Sequence, residues 1–215
     1  MNSYKASNKH RIYYDAEFTG LNRKTGLISI GLISASGTTF YAEFSDFDAG
    51  QVSEWINTNV IRNLCITGDS DDGTVIGSKV AKAEGSSLYD VEIQGNTKII
   101  RKKLLRWLLD EATIANKQIQ FFTDCYAYDW ILMLDLICKF KDGLNIPDYI
   151  NYIPIDLSTL LWTVGIDPDI SREEFAGDFP IPANIKEAKH NSRWDAYVAK
   201  ICFEKIESNM IVRHI

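Results

Sequence analysis

The sequence predicts an α/β protein built on one mixed β-sheet that is flanked by helices, and three observations lead to this class. The chain opens with three segments rich in β-branched and aromatic residues. A Ser36-Gly37 turn joins the second segment to the third. Beyond them, segments with apolar residues at helical spacing alternate with short apolar runs. A strand meander followed by helix–strand units is typical of a single mixed sheet covered by helices.

The three opening segments predict an antiparallel meander. Arg11–Phe18 is rich in Tyr and Ile, and Leu27–Ala35 is apolar and β-branched. Thr38–Phe44 alternates Phe and Ala with polar residues, as a strand with two different faces does. Short connections between the segments favour antiparallel pairing of neighbours.

The rest of the chain predicts helices separated by two more strands, one in Gln118–Thr123 and one at the start of Ile150–Leu161. Strands that follow helices are expected to pair in parallel, which gives a five-stranded sheet. Ser53–Leu64 is predicted to be a short helix with Trp55, Ile56 and Val60 on its apolar side. Further helices are expected at Ile99–Ala112, around Trp130–Ile137, after the strand within Ile150–Leu161, at Ser171–Gly177 and at Ser192–Asn209.

The length of 215 residues predicts a single domain over 1–215, with one segment that is difficult to place. Residues 67–98 are polar and rich in Gly. They are expected to form an excursion or a hairpin over the domain.

Composition and charge limit the function classes. The content of 46% hydrophobic and 24% charged residues excludes a disordered or fibrous chain. The net charge of −6 excludes binding of nucleic acid by bulk positive charge, so such binding would need a local site, with metal ions as the positive charges. Four cysteines without paired spacing predict reduced thiols in a cytoplasmic protein. No apolar run is long enough to span a bilayer, so no membrane partner is expected.

Asp15 and Glu17 in the first strand are the first candidate metal ligands. Residues two apart on a strand share a face, so both carboxylates project to the same side and repel each other unless a cation lies between them. Mg²⁺ and Mn²⁺ prefer oxygen ligands of this kind. An exposed polar face on an edge strand is the alternative. The flanking residues 12–14, Ile-Tyr-Tyr, favour a buried central strand.

Phe18, Thr19, Gly20 and Leu21 follow directly and are candidate substrate contacts. Gly20 permits a close approach of the backbone to a ligand, Thr19 can donate a hydrogen bond, and Leu21 can wedge against a flat group. The alternative is an ordinary exit from the strand into a loop.

Asp124 and Asp129 lie where a strand joins an apolar helix. Each has a structural alternative: Asp124 could cap the helix, and Asp129 could be a favourable charge in its first turn.

His190 and Asp195 form the last candidate pair. Five residues on a helix turn through about 500°, so the two side chains converge only if His190 precedes the helix that contains Asp195. The alternatives are a capping box formed by Ser192 and Asp195, and an uninvolved surface or core histidine, as expected for His10 and His214.

Taken together, these motifs resemble the DEDDh family of 3′–5′ exonucleases, and most closely its small exoribonucleases related to ribonuclease T. Asp15-Ala16-Glu17-Phe18-Thr19-Gly20-Leu21 is similar to the family's Asp-x-Glu-x-Thr-Gly-Leu motif. Tyr126-Ala127-Tyr128-Asp129 resembles the second motif, which ends in an aromatic residue and Asp. His190-Asn191-Ser192-Arg193-Trp194-Asp195 matches the third, His-x-x-x-x-Asp. One departure is Asp124-Cys125-Tyr126, where the family often has His-Asn-Ala, and it makes Asp124 a rival of Asp129.

The resemblance implies a ribonuclease H-like fold and a metal-dependent exoribonuclease. Such an enzyme hydrolyses single-stranded RNA from the 3′ end to nucleoside 5′-monophosphates with two Mg²⁺ or Mn²⁺ ions. Asp15, Glu17, Asp129 and Asp195 would hold the ions, and His190 would be the general base.

The same resemblance implies where the substrate binds. Phe18–Leu21, Asp124 and Tyr126 would contact the terminal nucleotides, and a homodimer is the expected assembly. Two alternatives stay open. One is a DNA 3′–5′ exonuclease of the proofreading type, and the other is an inactive relative that only binds nucleic acid or a protein.

Overall fold

The structure is a computed structural model, and it describes residues 8–66, 77–82, 89–124, 126–138 and 145–213. The strands form one mixed sheet in the order β4-β5-β3-β2-β1-β6-β7. Pairing is antiparallel for β1/β2, β2/β3 and β4/β5, and parallel for β1/β6, β3/β5 and β6/β7. The strands are β1 (His10–Phe18), β2 (Leu27–Ser34), β3 (Thr39–Phe44), β4 (Gly77–Lys82), β5 (Tyr89–Gly95), β6 (Ile119–Thr123) and β7 (Ile155–Asp156).

The α/β class, the antiparallel meander and the two parallel strands are confirmed, but the predicted count of five strands is wrong. The sheet has six strands of five or more residues and the two-residue β7. The difference comes from the segment 67–98, because β4 and β5 pair there as a hairpin and extend the sheet beyond β3. In β5 the buried Val91 and Ile93 alternate with half-buried polar residues, which is a strand pattern within a polar stretch. The remaining residues of this segment, 67–76 and 83–88, lie outside the described ranges, and the single domain stays a prediction.

The predicted helices are present, with shifted bounds. They are α1 (Glu54–Asn59), α2 (Thr97–Ala115), α3 (Tyr126–Cys138), α4 (Leu157–Thr163), α5 (Arg172–Ala176) and α6 (Ser192–Arg213). The Ser53 hydroxyl caps α1, which is shorter than predicted and is followed by a 3₁₀ helix at Ile61–Asn63. Within the described ranges, none of the helices is long and apolar enough to cross a membrane.

The two faces of the sheet pack against different helices. Ile12 and Tyr14 of β1 lie in the core with α2 and α3, whereas Tyr13 lies in the core with α4, α5 and α6. Because side chains alternate along a strand, Asp15 and Glu17 project from the same face as Tyr13. We call this the α6 face of the sheet. The two carboxylates of β1 therefore point toward the side on which α6 lies.

Gly31 in the centre of β2 allows α6 to approach this face closely. A Cβ atom at Gly31 would lie 2.3 Å from the carbonyl group of Ser192 and from the backbone nitrogen of Arg193. The hydroxyl groups of Ser29 and Ser192 are hydrogen bonded at 2.9 Å beside this contact. Since Gly31 is paired with Asp15 across the β1/β2 ladder, the first turn of α6 lies next to the carboxylates of β1.

Substitution of Gly31 with alanine should destabilise the protein, because the new methyl group would overlap the backbone of α6. We expect Gly31→Ala to lower the free energy of unfolding by about 1–3 kcal/mol, measured by urea denaturation. Gly26→Ala is the control, since its added Cβ would lie 3.8 Å from Cβ of Phe47, an ordinary contact. Equal stability of the two variants would show that α6 does not need this close approach.

Candidate active site

A cavity of about 710 Å³ lies at the carboxyl end of β1. Because β6 runs parallel to β1 with Thr123 opposite Tyr14, Asp124 leaves the sheet beside Asp15. The start of α6 closes another side. Most of the predicted site residues line this cavity: Asp15, Glu17, Phe18, Gly20, Leu21, Asp124, Asp129, His190 and Asp195.

Glu17, His190 and Asp195 come closest together. One ligand atom of each lies within 4.8 Å of the other two, and all three side chains are half-buried. His190 lies in the turn before α6, and Asp195 lies in its first turn. This is the arrangement under which the two side chains can converge. Two oxygen donors and a nitrogen donor are thus available to a single ion or to a reacting group.

Burial and, for Asp15, neighbouring carboxylates raise the pKa values of the two carboxylates on β1. Burial raises the pKa of Asp15 well above its usual range, and neighbouring charges raise it further: Asp129, Asp195, Glu17 and Asp124, in decreasing order. Burial also raises the pKa of Glu17 to about 7. A cation in the cavity would stabilise the ionised form of each carboxylate.

The same surroundings shift the pKa values of Asp195 and His190 in opposite directions. Burial raises the pKa of Asp195, and Glu17 and Glu173 add to this, while a hydrogen bond from the His190 backbone and the charge of Lys189 oppose it. Burial lowers the pKa of His190, Lys189 lowers it further, and Glu173 opposes the change. A lowered pKa keeps the imidazole neutral at neutral pH, as a proton acceptor must be.

Asn191, rather than Ser192, caps α6. Oδ1 of Asn191 accepts hydrogen bonds from the backbone of Arg193 at 3.2 Å and of Trp194 at 3.4 Å. Ser192 is already the first residue of α6, and its hydroxyl pairs with Ser29 instead. The alternative of a capping box that starts at Ser192 is therefore wrong, and Asp195 is left to face the cavity.

Asp129 and Asp124 have different partners. Asp129 is buried in the first turn of α3, and its Oδ2 accepts a hydrogen bond from the Thr123 hydroxyl at 2.9 Å. Asp124 accepts hydrogen bonds at both carboxylate oxygens from Nε of Arg172, each at 2.8 Å. Nη2 of Arg172 also donates to the Ser158 hydroxyl at 2.9 Å. Asp124 thus has a counter-ion within the protein itself. Both carboxylates raise the pKa of Asp15, and the contribution of Asp129 is the larger.

Aromatic and apolar side chains line the mouth of the cavity. The rings of Phe18 and Tyr128 are stacked at 5.5 Å with an interplanar angle of 15°. Leu21 is 75% exposed, and Trp55 is 56% exposed. Of the three residues predicted on the apolar side of the first helix, Ile56 and Val60 are buried, whereas Trp55 is not. The Trp55 indole instead lines the cavity, and its ring meets the His190 ring edge-on at 5.0 Å. Such surfaces can stack on a nucleobase.

Thr19 and Tyr126 are not among the residues that line the cavity. Thr19 is buried, its hydroxyl donates to Oε1 of Gln51 at 2.9 Å, and it accepts from the Gly26 backbone at 3.0 Å. It holds the loop between β1 and β2 rather than facing the cavity. Tyr126 is 51% exposed at the start of α3.

Sequence reasoning missed four charged residues that line the cavity: Asp169, Arg172, Glu173 and Lys189. Lys189 directly precedes His190, so its position next to the third motif could have identified it. Arg172 is separated from Asp124 by 48 positions, so no local spacing could have paired them.

The mixed sheet with flanking helices fits a ribonuclease H-like fold. No family model matches this chain. Two proteins of Mycobacterium tuberculosis are similar to it over 54 residues at 35% identity: 3′-5′ exoribonuclease MT2234.1 of strain CDC 1551 / Oshkosh and 3′-5′ exoribonuclease Rv2179c of strain ATCC 25618 / H37Rv. The match covers 25% of this chain and 32% of each relative, so the chain spans about a third of the length of these curated relatives.

The raised pKa of Glu17 predicts how stability depends on pH in protein freed of divalent ions. The folded protein holds this proton up to about pH 7, whereas the unfolded chain releases it near the ordinary value of 4.5. Unfolding therefore releases a proton within this window, and the contribution of Glu17 to stability falls as pH rises through it. Glu17→Gln carries no charge, so we expect it to be more stable than wild type at about pH 8 and similar at about pH 4.

Urea unfolding in EDTA across this pH range measures the difference. Glu187→Gln, at an exposed loop position, is the control and should follow the wild-type curve. Parallel curves for Glu17→Gln and wild type would contradict the raised pKa.

Proposed function

We propose that this protein is a metal-dependent 3′–5′ exoribonuclease that removes nucleoside 5′-monophosphates from the 3′ end of single-stranded RNA. The convergence of Glu17, His190 and Asp195 within 4.8 Å, in a cavity that Asp15 and Asp129 also line, is the observation that carries the proposal. The names of the two mycobacterial relatives support RNA as the substrate.

The donor set fits two divalent ions. Carboxylate oxygens are the ligands that Mg²⁺ and Mn²⁺ prefer, and the mutual repulsion that raises the pKa of Asp15 would be relieved by bound cations. Asp15, Glu17, Asp129 and Asp195 are the residues that would hold them. When bound, two such ions stabilise the attacking and leaving oxygens of a phosphodiester.

His190 is placed to accept the proton of the attacking water. Its imidazole is half-buried, its pKa is lowered by burial and by Lys189, and its ring is packed against Trp55. A neutral imidazole of this kind can act as a general base near neutral pH. Lys189, which is exposed at the same cavity, supplies a positive charge for a substrate phosphate.

The terminal nucleotide would lie between the mouth of the cavity and the carboxylates. Phe18, Leu21 and Trp55 offer flat or apolar surfaces to the base, and stacking accepts any base. The backbone at Gly20 lines the same cavity and can meet the terminal ribose. Sequence preference should therefore be weak.

Free thiols at Cys65, Cys138 and Cys202 fit a reducing compartment, and we place the protein in the cytoplasm, with the homodimer as a prediction.

A nuclease assay with a 5′-labelled single-stranded RNA tests the function. We expect stepwise shortening from the 3′ end with Mn²⁺ and none in EDTA, and slower cleavage of the matched DNA. His190→Ala should lower kcat by about 10²–10⁴-fold, as loss of a general base does, with Mn²⁺ affinity retained because the carboxylates remain.

Each arm of the assay has an outcome that contradicts part of the proposal. Faster cleavage of DNA than of the matched RNA would make DNA the substrate. Cleavage at internal positions of the strand would exclude an exonuclease. Loss of Mn²⁺ binding in His190→Ala would make His190 a metal ligand rather than the base.

The variants Asp129→Ala and Asp124→Ala should differ in kcat in the same assay. We expect Asp129→Ala to lower kcat by more than about 100-fold, because loss of even an outer-shell partner of a metal site typically costs 10–100-fold. Asp124→Ala removes the partner of Arg172 and should lower the free energy of unfolding by about 1.5–3 kcal/mol in urea. Its kcat should fall less than that of Asp129→Ala. The reverse order of activities, with both variants folded, would make Asp124 the ligand.

A further inference from the structure

His190 has a left-handed backbone conformation, which is uncommon for residues other than glycine. Its φ is 61°, in the left-handed region, and His190 and Asn116 are the non-glycine residues with positive φ in the described ranges. Asn116 occupies the common position just after the end of α2. His190 instead lies in a turn before a helix, so its conformation requires support from the surrounding structure.

Asn63 supplies this support from both sides of His190. Nδ2 of Asn63 donates to the carbonyl oxygen of Lys189 at 2.7 Å. The carbonyl oxygen of Asn63 in turn accepts a hydrogen bond from Nδ2 of Asn191 at 2.8 Å. The residues before and after His190 are thus both bonded to one residue that is more than 120 positions away in sequence. We call these two hydrogen bonds the Asn63 bracket.

The Asn63 bracket is anchored in the centre of the sheet. Glu43 of β3 is fully buried, and its Oε1 accepts hydrogen bonds from the backbone of Cys65 at 2.6 Å and of Ile66 at 3.0 Å. The same oxygen accepts from the hydroxyl of the buried Tyr41 at 2.7 Å, and that hydroxyl accepts from Nδ2 of Asn191 at 3.1 Å. The segment that contains Asn63 is therefore fixed to β3 just beyond the bracket.

The same segment also holds the His190 ring. Trp55, near the start of α1, contacts the imidazole edge-on, with ring centroids 5.0 Å apart and an interplanar angle of 72°. Residues 53–66 thus hold His190 in two ways. Trp55 packs on its ring. Asn63 is hydrogen bonded to the residues on either side of it, Lys189 and Asn191. A rotation of the left-handed turn would break both contacts.

We propose that Asn63 is a positioning residue that holds the His190 imidazole in its catalytic place. The proposal rests on the proposed role of His190 as general base, since Asn63 acts only through that residue. Removal of the Nδ2 donor frees the Lys189 carbonyl and lets the turn relax toward a common conformation. A misplacement of about 1 Å at a reacting group can cost about 10²-fold in rate.

A double-mutant cycle between Asn63 and His190 tests the coupling. Asn63→Ala should lower kcat on single-stranded RNA by about 10²-fold in the wild-type background. In the His190→Ala background the same substitution should change kcat by less than about twofold, because the base that Asn63 positions is already absent. Equal losses in the two backgrounds would overturn the proposal, since a general structural defect acts in both.

Asn57→Ala is the matched control. Asn57 is an exposed residue of α1 in the same segment, and its substitution should leave kcat unchanged in both backgrounds. Asn63→Asp is the second variant: it keeps the size of the side chain but loses the donor to Lys189, so it should reproduce the loss of kcat if Asn63→Ala fails to fold.

An activity-independent measurement separates this proposal from the proposed function. The chain has three histidines, so ring-labelled histidine gives a simple NMR spectrum, and the nuclear Overhauser effect between His190 and Trp55 reports their contact. We expect this signal to be lost in Asn63→Ala and retained in Asn57→Ala. A retained signal in Asn63→Ala would overturn the bracket. A lost signal with unchanged kcat would support the bracket and exclude His190 as the base.

Discussion

The close contact between α6 and β2 at Gly31 is the constraint on which the candidate site depends. The site combines carboxylates near the start of the chain with a histidine and a carboxylate near its end, and these meet only if the first turn of α6 lies against the sheet. A side chain at position 31 would occupy the space of the Ser192 backbone. Since Gly31 is paired with Asp15, the absence of one Cβ brings Asp195 to the face from which Asp15 and Glu17 project.

This placement has an electrostatic cost that the rest of the fold must support. Burial raises the pKa values of Asp15, Glu17 and Asp195, and repulsion by neighbouring carboxylates adds to it at Asp15 and Asp195, so in the absence of a cation their ionised forms destabilise the folded state. The apolar cores on both faces of the sheet offset this cost. The pairing of Asp124 with Arg172 gives one further carboxylate of the cavity its own counter-ion.

Local pattern explains which parts of this arrangement were predictable from the sequence. Some patterns depend only on neighbours along the chain, such as the alternation in β1 and β3 and the helical spacing in α2 and α6. The sequence therefore predicted the meander, the main helices and the shared face of Asp15 and Glu17. β4 and β5 could not be predicted in this way. They are polar strands at the end of the sheet, and they are stabilised by the pairing of β4 with β5 and of β5 with β3. The exposure of Trp55 was missed for a similar reason: helical spacing gives the direction of a side chain, and the surrounding fold decides whether that side is covered.

The same distinction separates the reacting groups from the residues that hold them. Carboxylates and imidazole are required by the chemistry, so their spacing on β1 and before α6 forms a recognisable motif. Asn63, Glu43 and Tyr41 supply hydrogen bonds to backbone and side-chain atoms, a task that other polar residues can perform, and they lie far from His190 in sequence. The carboxylates sit on a strand and on first helical turns, which are rigid elements. His190 sits on a left-handed turn, and its position therefore depends on partners that no motif includes.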